Sequence, residues 1–411
     1  MWDLNKQIDN IAIVQESGNV ITYRELLDHT NNLAEKVPAR SLVLSLCKNS
    51  VGSFVGYVSF LNAKVVPLML DYSVDKEFLG KIIEAYKPEY FWVPSEMTNH
   101  FDGCVSIFSD FDFTLLKNPR GMRHLLHDEL ALLLTTSGST GSRKLVRQSY
   151  KNLRSNTSSI RQCLRIDQSE RSITTLPMSY TYGLSIINSH LDAGSSVIVT
   201  SKSLVQKEFW HQFKTYNATS FGGVPFTYEM LNRLRFFKMD LPSLKVMTQA
   251  GGRLTVDLHR KFTSYCKETG KRFYVMYGQT EATARMAYLP FESPLEKFGS
   301  IGVAIPNGEF FLVDEENNKI IDCDVVGELG YVGENVTLGY AEGWDDLAKG
   351  DERHGTLLTG DMAKVDKEGF YWLAGRKKRF LKIFGNRINL DEIEDFLKGS
   401  FDGIDLACSG S

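Results

Sequence analysis

Residues 132–152 of the chain read LLLTTSGSTGSRKLVRQSYKN. An apolar run leads into two glycines, a series of hydroxyl side chains and the basic pair Arg143 and Lys144. Glycines let backbone N–H groups approach an anion closely, and the hydroxyl and basic side chains add donors and charge, so the stretch suits a polyphosphate. A Walker A loop has a different spacing, because it needs Gly-Lys-Ser/Thr where this chain has Arg143, Lys144 and Leu145. An ordinary Ser/Gly turn between a strand and a helix is the alternative that further motifs must exclude.

The chain from residue 41 to residue 277 alternates two apolar patterns. Short β-rich runs are followed by longer amphipathic segments, which predicts parallel strands joined by crossover helices and therefore an α/β fold. The predicted strands are 42–46, 64–70, 90–93, 131–135, 172–176, 196–200, 218–221, 245–248 and 272–276. The predicted helices are 76–86, 149–164, 207–216 and 256–267.

The pattern changes after Pro290, where glycines separate short predicted strands at 309–313, 327–332 and 369–373. This change indicates a separate small β-barrel-like layer. A last helix is predicted at 391–398, followed by Gly399 as a stop. We therefore expect a large N-terminal domain of stacked mixed and parallel sheets with helices plus this β-layer. The start of a small α+β C-terminal domain is expected to follow.

The length, composition and net charge of the chain limit the class of protein to which it can belong. The 411 residues exceed the size at which one hydrophobic core usually stops growing, so at least two domains are expected. Apolar residues make up 43%, charged residues 24%, and the net charge is -3, which argues against a chain built to coat nucleic acid or an anionic membrane. Any anion site must therefore be local.

Targeting and cysteine patterns point to the cytosol. No stretch approaches the roughly 20 apolar residues that span a bilayer, and the start MWDLNKQIDN lacks the pattern of a signal peptide. The six cysteines show no CxxC pair and no cluster with histidine, so we expect reduced thiols, mostly buried, rather than a zinc site or disulfide framework. The expected location is cytoplasmic.

Four motifs, in one order, overturn the reading of a plain turn. They are TSGSTGSRK at 136–144, MYGQTEATARM at 276–286, TGD at 359–361 and GRKKRFLKIFGNRI at 375–388. Together they resemble the phosphate loop, Tyr-Gly-x-Thr-Glu, ribose-aspartate and hinge motifs of the adenylate-forming enzymes. That family includes acyl- and aryl-CoA ligases, adenylation domains of nonribosomal peptide synthetases and firefly luciferase. The family usually has proline where this chain has Arg143. Arginine should stiffen the loop less than proline does, but it leaves the hydrogen-bond donors of the loop intact.

The resemblance implies a site for ATP or AMP. Tyr277 can stack on the purine, Thr280 can donate to the α-phosphate, and Glu281 is the implied ligand of Mg²⁺. Asp361 can accept from both ribose hydroxyls, and Arg376 can bridge ribose or phosphate. The implied nucleotide-binding residues are Thr136, Ser137, Gly138, Ser139, Thr140, Gly141, Lys144, Gly251, Gly252, Tyr277, Gly278, Gln279, Thr280, Asp361 and Arg376. The implied catalytic residues are Thr280, Glu281 and Lys144.

A second set of residues is implied to form the acyl pocket. LPMSYTYGL at 176–184 resembles a family segment that commonly carries histidine where this chain has Tyr180. An amino-acid adenylation domain normally shows an aspartate there, and its absence disfavours that alternative. Arg285 and Arg253, if they face the pocket, favour a second carboxylate or hydroxyl on the substrate. The implied pocket residues are Tyr180, Phe221, Gly222, Val224 and Gly252.

The motif order also predicts the domains. Residues 1–377 are predicted to form the AMP-binding domain, with 290–375 as its β-rich subdomain, and 378–411 the hinge and truncated start of the C-terminal lid domain. Relatives rotate that small domain about a hinge, which corresponds to Lys378 here, and adenylate with a lysine near its end. We find no counterpart of that lysine, so either the sequence is truncated or the reaction proceeds without it.

The resemblance predicts an ATP- and Mg²⁺-dependent ligase that converts a small carboxylic acid into an acyl-adenylate and releases pyrophosphate. The work is positioning and charge stabilisation, so no nucleophilic side chain is required. A thiol then forms the thioester, either coenzyme A or the phosphopantetheine of an acyl or peptidyl carrier protein. The alternatives are a non-catalytic module that binds a nucleotide or acyl-adenylate and an amino-acid adenylation domain.

Overall fold

The α-helices and strands follow one another along most of the chain in a computed structural model that describes residues 1–136, 143–383, 386–389, 394 and 397. The helices are α1 (Tyr23–Ala34), α2 (Val51–Asn62), α3 (Lys76–Tyr86), α4 (Tyr150–Leu164), α5 (Thr181–Ala193), α6 (Lys207–Thr215), α7 (Pro225–Arg233) and α8 (Val256–Glu268). Strands of the first half are β1 (Ile11–Gln15), β2 (Val20–Thr22), β3 (Leu42–Cys47), β4 (Val66–Asp71), β5 (Tyr90–Pro94), β6 (Val105–Asp110), β7 (Phe113–Lys117), β8 (Leu130–Thr135), β9 (Leu145–Ser149), β10 (Arg171–Ile173) and β11 (Ser196–Val199).

The remaining strands include the short, glycine-separated ones after residue 290. They are β12 (Ser220–Gly223), β13 (Val246–Gln249), β14 (Arg272–Tyr277), β15 (Ala287–Tyr288), β16 (Val303–Ala304), β17 (Gly308–Val313), β18 (Lys319–Ile320), β19 (Gly327–Gly333), β20 (Gly339–Ala341), β21 (Thr356–Val365), β22 (Tyr371–Arg376), β23 (Phe380–Ile383) and β24 (Asn386–Asn389).

Two large sheets carry the N-terminal part. The first has nine strands in the order β16-β15-β14-β13-β12-β10-β11-β1-β2, and its strands β1, β11, β10, β12, β13 and β14 are parallel. The second has eight strands in the order β20-β9-β8-β4-β3-β5-β7-β6, with β5, β3, β4 and β8 parallel. Both sheets have antiparallel strands at their edges, so each is mixed.

A third sheet comes from the Gly-punctuated part of the chain. It has five antiparallel strands in the order β18-β17-β19-β21-β22, and β23 and β24 form a separate hairpin. The α/β class with stacked mixed sheets and a smaller β-layer is confirmed. The domain boundaries at residues 290, 375 and 377 stay predictions, and the helix predicted at 391–398 lies outside the described residues except at positions 394 and 397.

Helices α2, α4 and α5 lie between the two large sheets. One core cluster contains β1 and β11 of the first sheet, β4 and β8 of the second, and side chains of all three helices. In α2 every residue except Asn62 is buried, and in α5 every residue except Asp192. A helix enclosed on all sides needs no polar face, so neither helix carries the amphipathic pattern of a surface helix.

Local signals set the starts of other helices. At α1 the Thr22 side chain accepts from the backbone N–H of Glu25, and Glu25 returns a bond to the N–H of Thr22. At α4 Ser149 and Asn152 make the same reciprocal pair. These capping boxes satisfy backbone donors that the first turn leaves unpaired.

The strand β9 was not predicted. Its five residues are all buried and separate the glycine-rich loop from α4, whereas the loop had been expected to lead into the helix. The loop therefore connects two antiparallel strands, with Thr135 of β8 paired to Leu145 of β9. The predicted strand 172–176 also ends early, at Ile173.

None of the helices in the described part of the chain is long and apolar enough to cross a membrane. The described cysteines are free: Cys47, Cys163 and Cys266 are buried, Cys104 is half-buried and Cys323 is exposed.

Two buried histidines make stability depend on pH. Burial lowers the pKa of both His190 and His259 to about 4. In the unfolded chain each imidazole binds a proton below about pH 6.5, so the unfolded state binds more protons between pH 6.5 and pH 4. We expect the free energy of unfolding to fall as pH is lowered through this window, by about 3 kcal/mol for each ring.

His259→Phe removes one titrating imidazole and so separates its contribution to the pH dependence from that of His190. Phenylalanine can keep the contact with Phe298, on which His259 stacks with ring centroids 4.2 Å apart. The variant should match the wild type at neutral pH and lose less stability at pH 4, as measured by urea unfolding across the pH range. Parallel curves for the two proteins would contradict the assignment of this pH dependence to His259.

Candidate active site

Three of the predicted site segments follow adjacent parallel strands. Strands β12, β13 and β14 are neighbours in register, with Gly223 opposite Gln249 and Gln249 opposite Val275. Their carboxyl ends lead into Val224, into Gly251 and Gly252, and into Gly278. Ligands of open α/β sheets bind outside such strand ends, so the fold brings these segments to one edge.

The Tyr277 motif is bound to the TGD motif by direct hydrogen bonds. The Tyr277 hydroxyl donates to Asp361 Oδ2 over 2.5 Å, and Gln279 Nε2 donates to the same oxygen over 2.9 Å. Gln279 Nε2 also donates to the Thr359 carbonyl, and Arg376 Nε lies 2.8 Å from Asp361 Oδ1. The structure therefore brings the predicted residues Tyr277, Gln279, Asp361 and Arg376 together.

The Asp361 carboxylate is buried and is engaged by Tyr277, Gln279 and Arg376. A carboxylate has about four acceptor positions, which is the property that the resemblance requires of a group that accepts from two ribose hydroxyls. Burial, and next the nearby Asp361 charge, raises the pKa of Tyr277 well above its usual range. The Tyr277 hydroxyl is therefore a permanent donor, and its half-buried ring can offer a face to a base.

Gly278 permits the close turn between the two halves of this motif. A Cβ at Gly278 would lie 1.7 Å from the carbonyl oxygen of Ala284 and 2.8 Å from the Arg285 Cα. The neighbours are backbone atoms, which cannot rotate away as a side chain can. The chain therefore folds back on itself here, and Thr280 follows in a buried 3-10 turn, Thr280–Ala282.

Tyr340 joins the glycine-rich loop to the Glu281 carboxylate. Its hydroxyl donates to Glu281 Oε1 over 2.8 Å, and Lys144 Nζ lies 3.7 Å from the centre of its ring. Burial, and next the Glu281 charge, raises the pKa of Tyr340 to about 12, so the hydroxyl stays a donor at neutral pH. Lys144, over the face of the ring, and Glu281, at its hydroxyl, are both implied as catalytic residues and thus contact one aromatic side chain.

Arg147 fixes the strand that carries Tyr340. Its side chain is fully buried and donates to the carbonyls of Tyr340, Leu338, Gly350 and Lys349, and to Glu352 Oε2 over 2.6 Å. These bonds reinforce the pairing of β20 with β9 at the edge of the eight-stranded sheet. Neither Arg147 nor Tyr340 was singled out from the sequence, because both act through partners about 200 residues away.

The phosphate loop is described only at its two ends. Thr136 and Lys144 are described, whereas Ser137, Gly138, Ser139, Thr140 and Gly141 lie outside the described residues. The Tyr86 hydroxyl donates to the carbonyls of Arg143 and Ala341, which joins the end of the loop to β20. Lys378 lies in a 3-10 turn, Lys377–Arg379, just before β23, and its hinge role stays a prediction.

Tyr180 and Val224, two residues of the predicted acyl pocket, converge on Gly251. A Cβ at Gly251 would lie 2.6 Å from the Tyr180 hydroxyl and 3.2 Å from Val224 Cγ1, and its φ of +82° also favours glycine. A Cβ at Gly252 would lie 3.0 Å from Pro225 Cγ. Aromatic and aliphatic side chains therefore pack directly against the backbone of both glycines, and any larger residue at either position would have to displace them.

Gly222 and Phe221 face different surroundings, as alternate residues of a strand do. A Cβ at Gly222 would lie 2.7 Å from Ile186 Cδ1, so this glycine makes room on the α5 side of the sheet. The Phe221 ring instead contacts Phe213 and Phe236 in an aromatic core cluster. Arg253 is exposed, whereas Arg285 is buried.

Glu281 suits the Mg²⁺ that the motif implies. In the described residues no group of three or more acidic, histidine or cysteine side chains could hold a metal. Magnesium bound with a nucleotide needs only one or two protein carboxylates, since phosphate oxygens and water complete its shell. Glu281 Oε1 accepts from Tyr340, which orients the carboxylate and leaves lone pairs for a cation.

Comparison with known proteins gives consistent matches. A family model described as AMP-binding enzyme matches residues 2–341. The chain is similar to 4-coumarate--CoA ligase-like 2 of Arabidopsis thaliana, with 25% identity over 93% of this chain and 64% of that protein. It is also similar to peroxisomal OPC-8:0-CoA ligase 1 of Arabidopsis thaliana, with 30% identity over 68% and 52%. The chain therefore spans between about half and two-thirds of the length of these curated relatives.

One solved structure with a similar fold is O-succinylbenzoate coenzyme A synthetase (MenE) from Bacillus subtilis, in complex with AMP. The TM-score is 0.79 at 20% identity, and the match covers 96% of this chain and 82% of that one.

Proposed function

Because the chain belongs to the AMP-binding enzyme family, we propose that it activates a carboxylic acid with ATP and transfers the acyl group to a thiol. A carboxylate oxygen attacks the α-phosphorus of ATP, the bond to the bridging oxygen of the β-phosphate breaks, and pyrophosphate leaves with that oxygen. The thiol then attacks the acyl carbon, AMP leaves, and the product is a thioester. No side-chain nucleophile takes part in either step.

The observation that carries this proposal is the position of Tyr340 between Lys144 and Glu281. Lys144 Nζ, at the end of the loop, lies 3.7 Å from the centre of the Tyr340 ring, and the Tyr340 hydroxyl lies 2.8 Å from Oε1 of Glu281 in the turn after β14. This arrangement places opposite charges where a polyphosphate and its cation require them. A plain Ser/Gly turn gives no reason for the loop and the Tyr277 motif to converge.

Each predicted residue has a proposed part in holding the reactants. Tyr277, Asp361 and Arg376 hold the nucleoside, and Thr280 donates to the α-phosphate. Lys144 and the loop bind the phosphates that leave. Mg²⁺ held by Glu281 would neutralise phosphate charge. The wall of Tyr180, Val224 and Gly251 positions the acid for attack, which contributes by orientation rather than by covalent chemistry.

Coenzyme A is the proposed thiol. The curated relatives reported above are named as CoA ligases, whereas nothing observed supports a carrier-protein phosphopantetheine. The cytosolic location stays a proposal from the sequence.

The test is acid-dependent exchange of labelled pyrophosphate into ATP, measured with the full-length gene product, Mg²⁺ and a broad panel of acids. We expect exchange that needs both an acid and Mg²⁺, and thioester formation when coenzyme A is added. ATP binding in calorimetry with no exchange for any acid would instead support a non-catalytic nucleotide-binding module.

A further inference from the structure

A small cavity lies between the nine-stranded sheet and helices α4 and α5. Strands β10, β12 and β13 form one side, and α5 contributes Ile186 and His190 to the other. Gly222 and Arg285 also line it. Its volume of about 20 Å³ is room for a water or for the terminal polar group of a ligand.

Arg285 is a buried cation without a buried counter-ion. Its side chain is 2% exposed, NH1 contacts the Met276 sulfur at 3.4 Å, and the guanidinium lies 4.9 Å from the centre of the Tyr182 ring. Its Nε has no hydrogen-bond partner, and among the described residues no carboxylate pairs with it. A buried charge of this kind is costly unless it is paired.

Arg147, another buried arginine of this chain, provides a comparison for the hydrogen-bond partners of Arg285. Arg147 donates to four backbone carbonyls and pairs with Glu352, so its donors are satisfied within the protein. In place of such carbonyl and carboxylate partners, Arg285 contacts the Met276 sulfur and the face of the Tyr182 ring. The difference indicates that the partner of Arg285 is not a part of the described fold.

Two further polar atoms in the cavity lining are also unpartnered. His190 Nε2 and Ser220 Oγ are buried and have no hydrogen bond, although His190 Nδ1 lies 2.8 Å from the Ile186 carbonyl. Buried polar atoms are almost always hydrogen-bonded, so three orphans lining one cavity indicate a polar ligand.

Glu170, the acidic side chain in the lining, is engaged elsewhere. Its Oε1 lies 3.8 Å from Arg272 and 4.0 Å from Lys245, and the Thr219 hydroxyl donates to its Oε2. Glu170 therefore does not neutralise Arg285. A water in the cavity can satisfy the orphaned polar atoms but cannot neutralise the charge, so an anion from outside the protein is the partner that would do so.

The cavity and the predicted acyl pocket share Gly222 and border one apolar cluster. Gly222 lines the cavity, and a Cβ there would lie 2.9 Å from the Tyr182 hydroxyl. One apolar cluster joins Tyr182 and Ile186 of this region to Tyr180 and Val224, the walls beside Gly251. An acid held by its reacting carboxylate near Gly251 would reach Arg285 by displacing side chains of this cluster, such as Tyr182 or Ile186.

We propose that Arg285 binds a second carboxylate of the substrate, so that the acid activated is a small dicarboxylic acid. This inference rests on the proposed function, because it concerns the acid of that same site. A guanidinium in a water-poor cavity binds a carboxylate through charge-assisted, often bidentate hydrogen bonds. Ser220 and His190 offer additional polar contacts. Simple monocarboxylic acids would leave the charge unpaired and should be poor ligands.

The test compares short dicarboxylic acids with monocarboxylic acids of the same chain length in the full-length protein. Binding is measured by calorimetry with AMP present, and activation by pyrophosphate exchange. The wild type should prefer a dicarboxylate, and Arg285→Met should reduce that preference by roughly tenfold or more. Arg285→Lys keeps the positive charge and should retain part of the preference for a dicarboxylate. Arg24→Met, at an exposed arginine on α1 paired with Asp9, is the matched control and should keep the wild-type preference.

The outcomes separate the two proposals. Exchange that is equally good with monocarboxylates, or a preference unchanged by Arg285→Met, overturns the inference while the ligase function stands. Dicarboxylate binding that needs Arg285 without any exchange supports the inference and contradicts the ligase function. Absence of dicarboxylate binding overturns the inference, as does equal binding by chloride or sulfate. Wild-type AMP binding by Arg285→Met shows that this variant is folded.

Discussion

Glu281→Gln is expected to lower acid-dependent pyrophosphate exchange by roughly a hundredfold or more. Glutamine has the same shape and can still accept from Tyr340, whose hydroxyl lies 2.8 Å from Glu281 Oε1. It lacks the negative charge that holds Mg²⁺ against the phosphates. The variant should therefore fold normally, bind AMP, and require much more Mg²⁺ for half-maximal exchange.

Two further variants help to interpret the loss of pyrophosphate exchange that is expected of Glu281→Gln. Tyr340→Phe keeps the ring beneath Lys144 but removes the hydrogen bond to Glu281, and should cost about tenfold because the carboxylate is less well oriented. Glu77→Gln changes an exposed glutamate on α3 that pairs with Lys81, and should leave exchange unchanged. Wild-type exchange and Mg²⁺ dependence in Glu281→Gln would remove Glu281 from the metal site.

Gly278→Ala is expected to abolish exchange and to lower the free energy of unfolding by about 1–3 kcal/mol or more. The added Cβ would lie 1.7 Å from the Ala284 carbonyl oxygen and 2.6 Å from its carbon. Relief requires movement of backbone between Tyr277 and Arg285, which displaces Thr280 and Glu281 from their positions. AMP binding should therefore fall together with activity.

Gly80→Ala is the matched control for that substitution. Gly80 lies inside α3, and a Cβ there would have nothing within 4 Å. Alanine is the better helix former, so this variant should gain about 0.5–1 kcal/mol and keep full exchange. Urea unfolding and AMP calorimetry on both variants provide the comparison. Normal stability and AMP binding in Gly278→Ala would show that the motif tolerates the clash.

The sequence predicted many of the elements whose pattern reflects one-sided burial or a strand core, but not helices α1 and α7, which are also buried on one side. Strands 42–46, 90–93 and 131–135 correspond closely to β3, β5 and β8, and helix 76–86 matches α3. It did not predict α2 or α5, since a helix enclosed between two sheets has apolar residues on every face. Amphipathic periodicity cannot identify such a helix.

The residues of the candidate site also fall into two groups, those that the sequence identified and those that it missed. Motifs of consecutive residues identified Tyr277, Glu281 and Asp361, whose spacing is visible in the sequence. Tyr340 and Arg147 were missed because their roles come from pairing between β9 and β20, about 190 residues apart. The burial of Arg285 likewise depends on the packing of α4 and α5, which no local pattern encodes.

The edge strand β20 has a consequence for biosynthesis. Translation delivers the glycine-rich loop and β9 long before Tyr340, and Asp361 emerges later still. Domains generally begin to fold from the N-terminal side while the ribosome is still elongating. A nascent chain that ends before Gly339 thus has no Tyr340 beside Lys144 and no partner on the outer edge of β9. Nucleotide affinity should arise only late in synthesis, and that open edge is where a chaperone would be expected to bind.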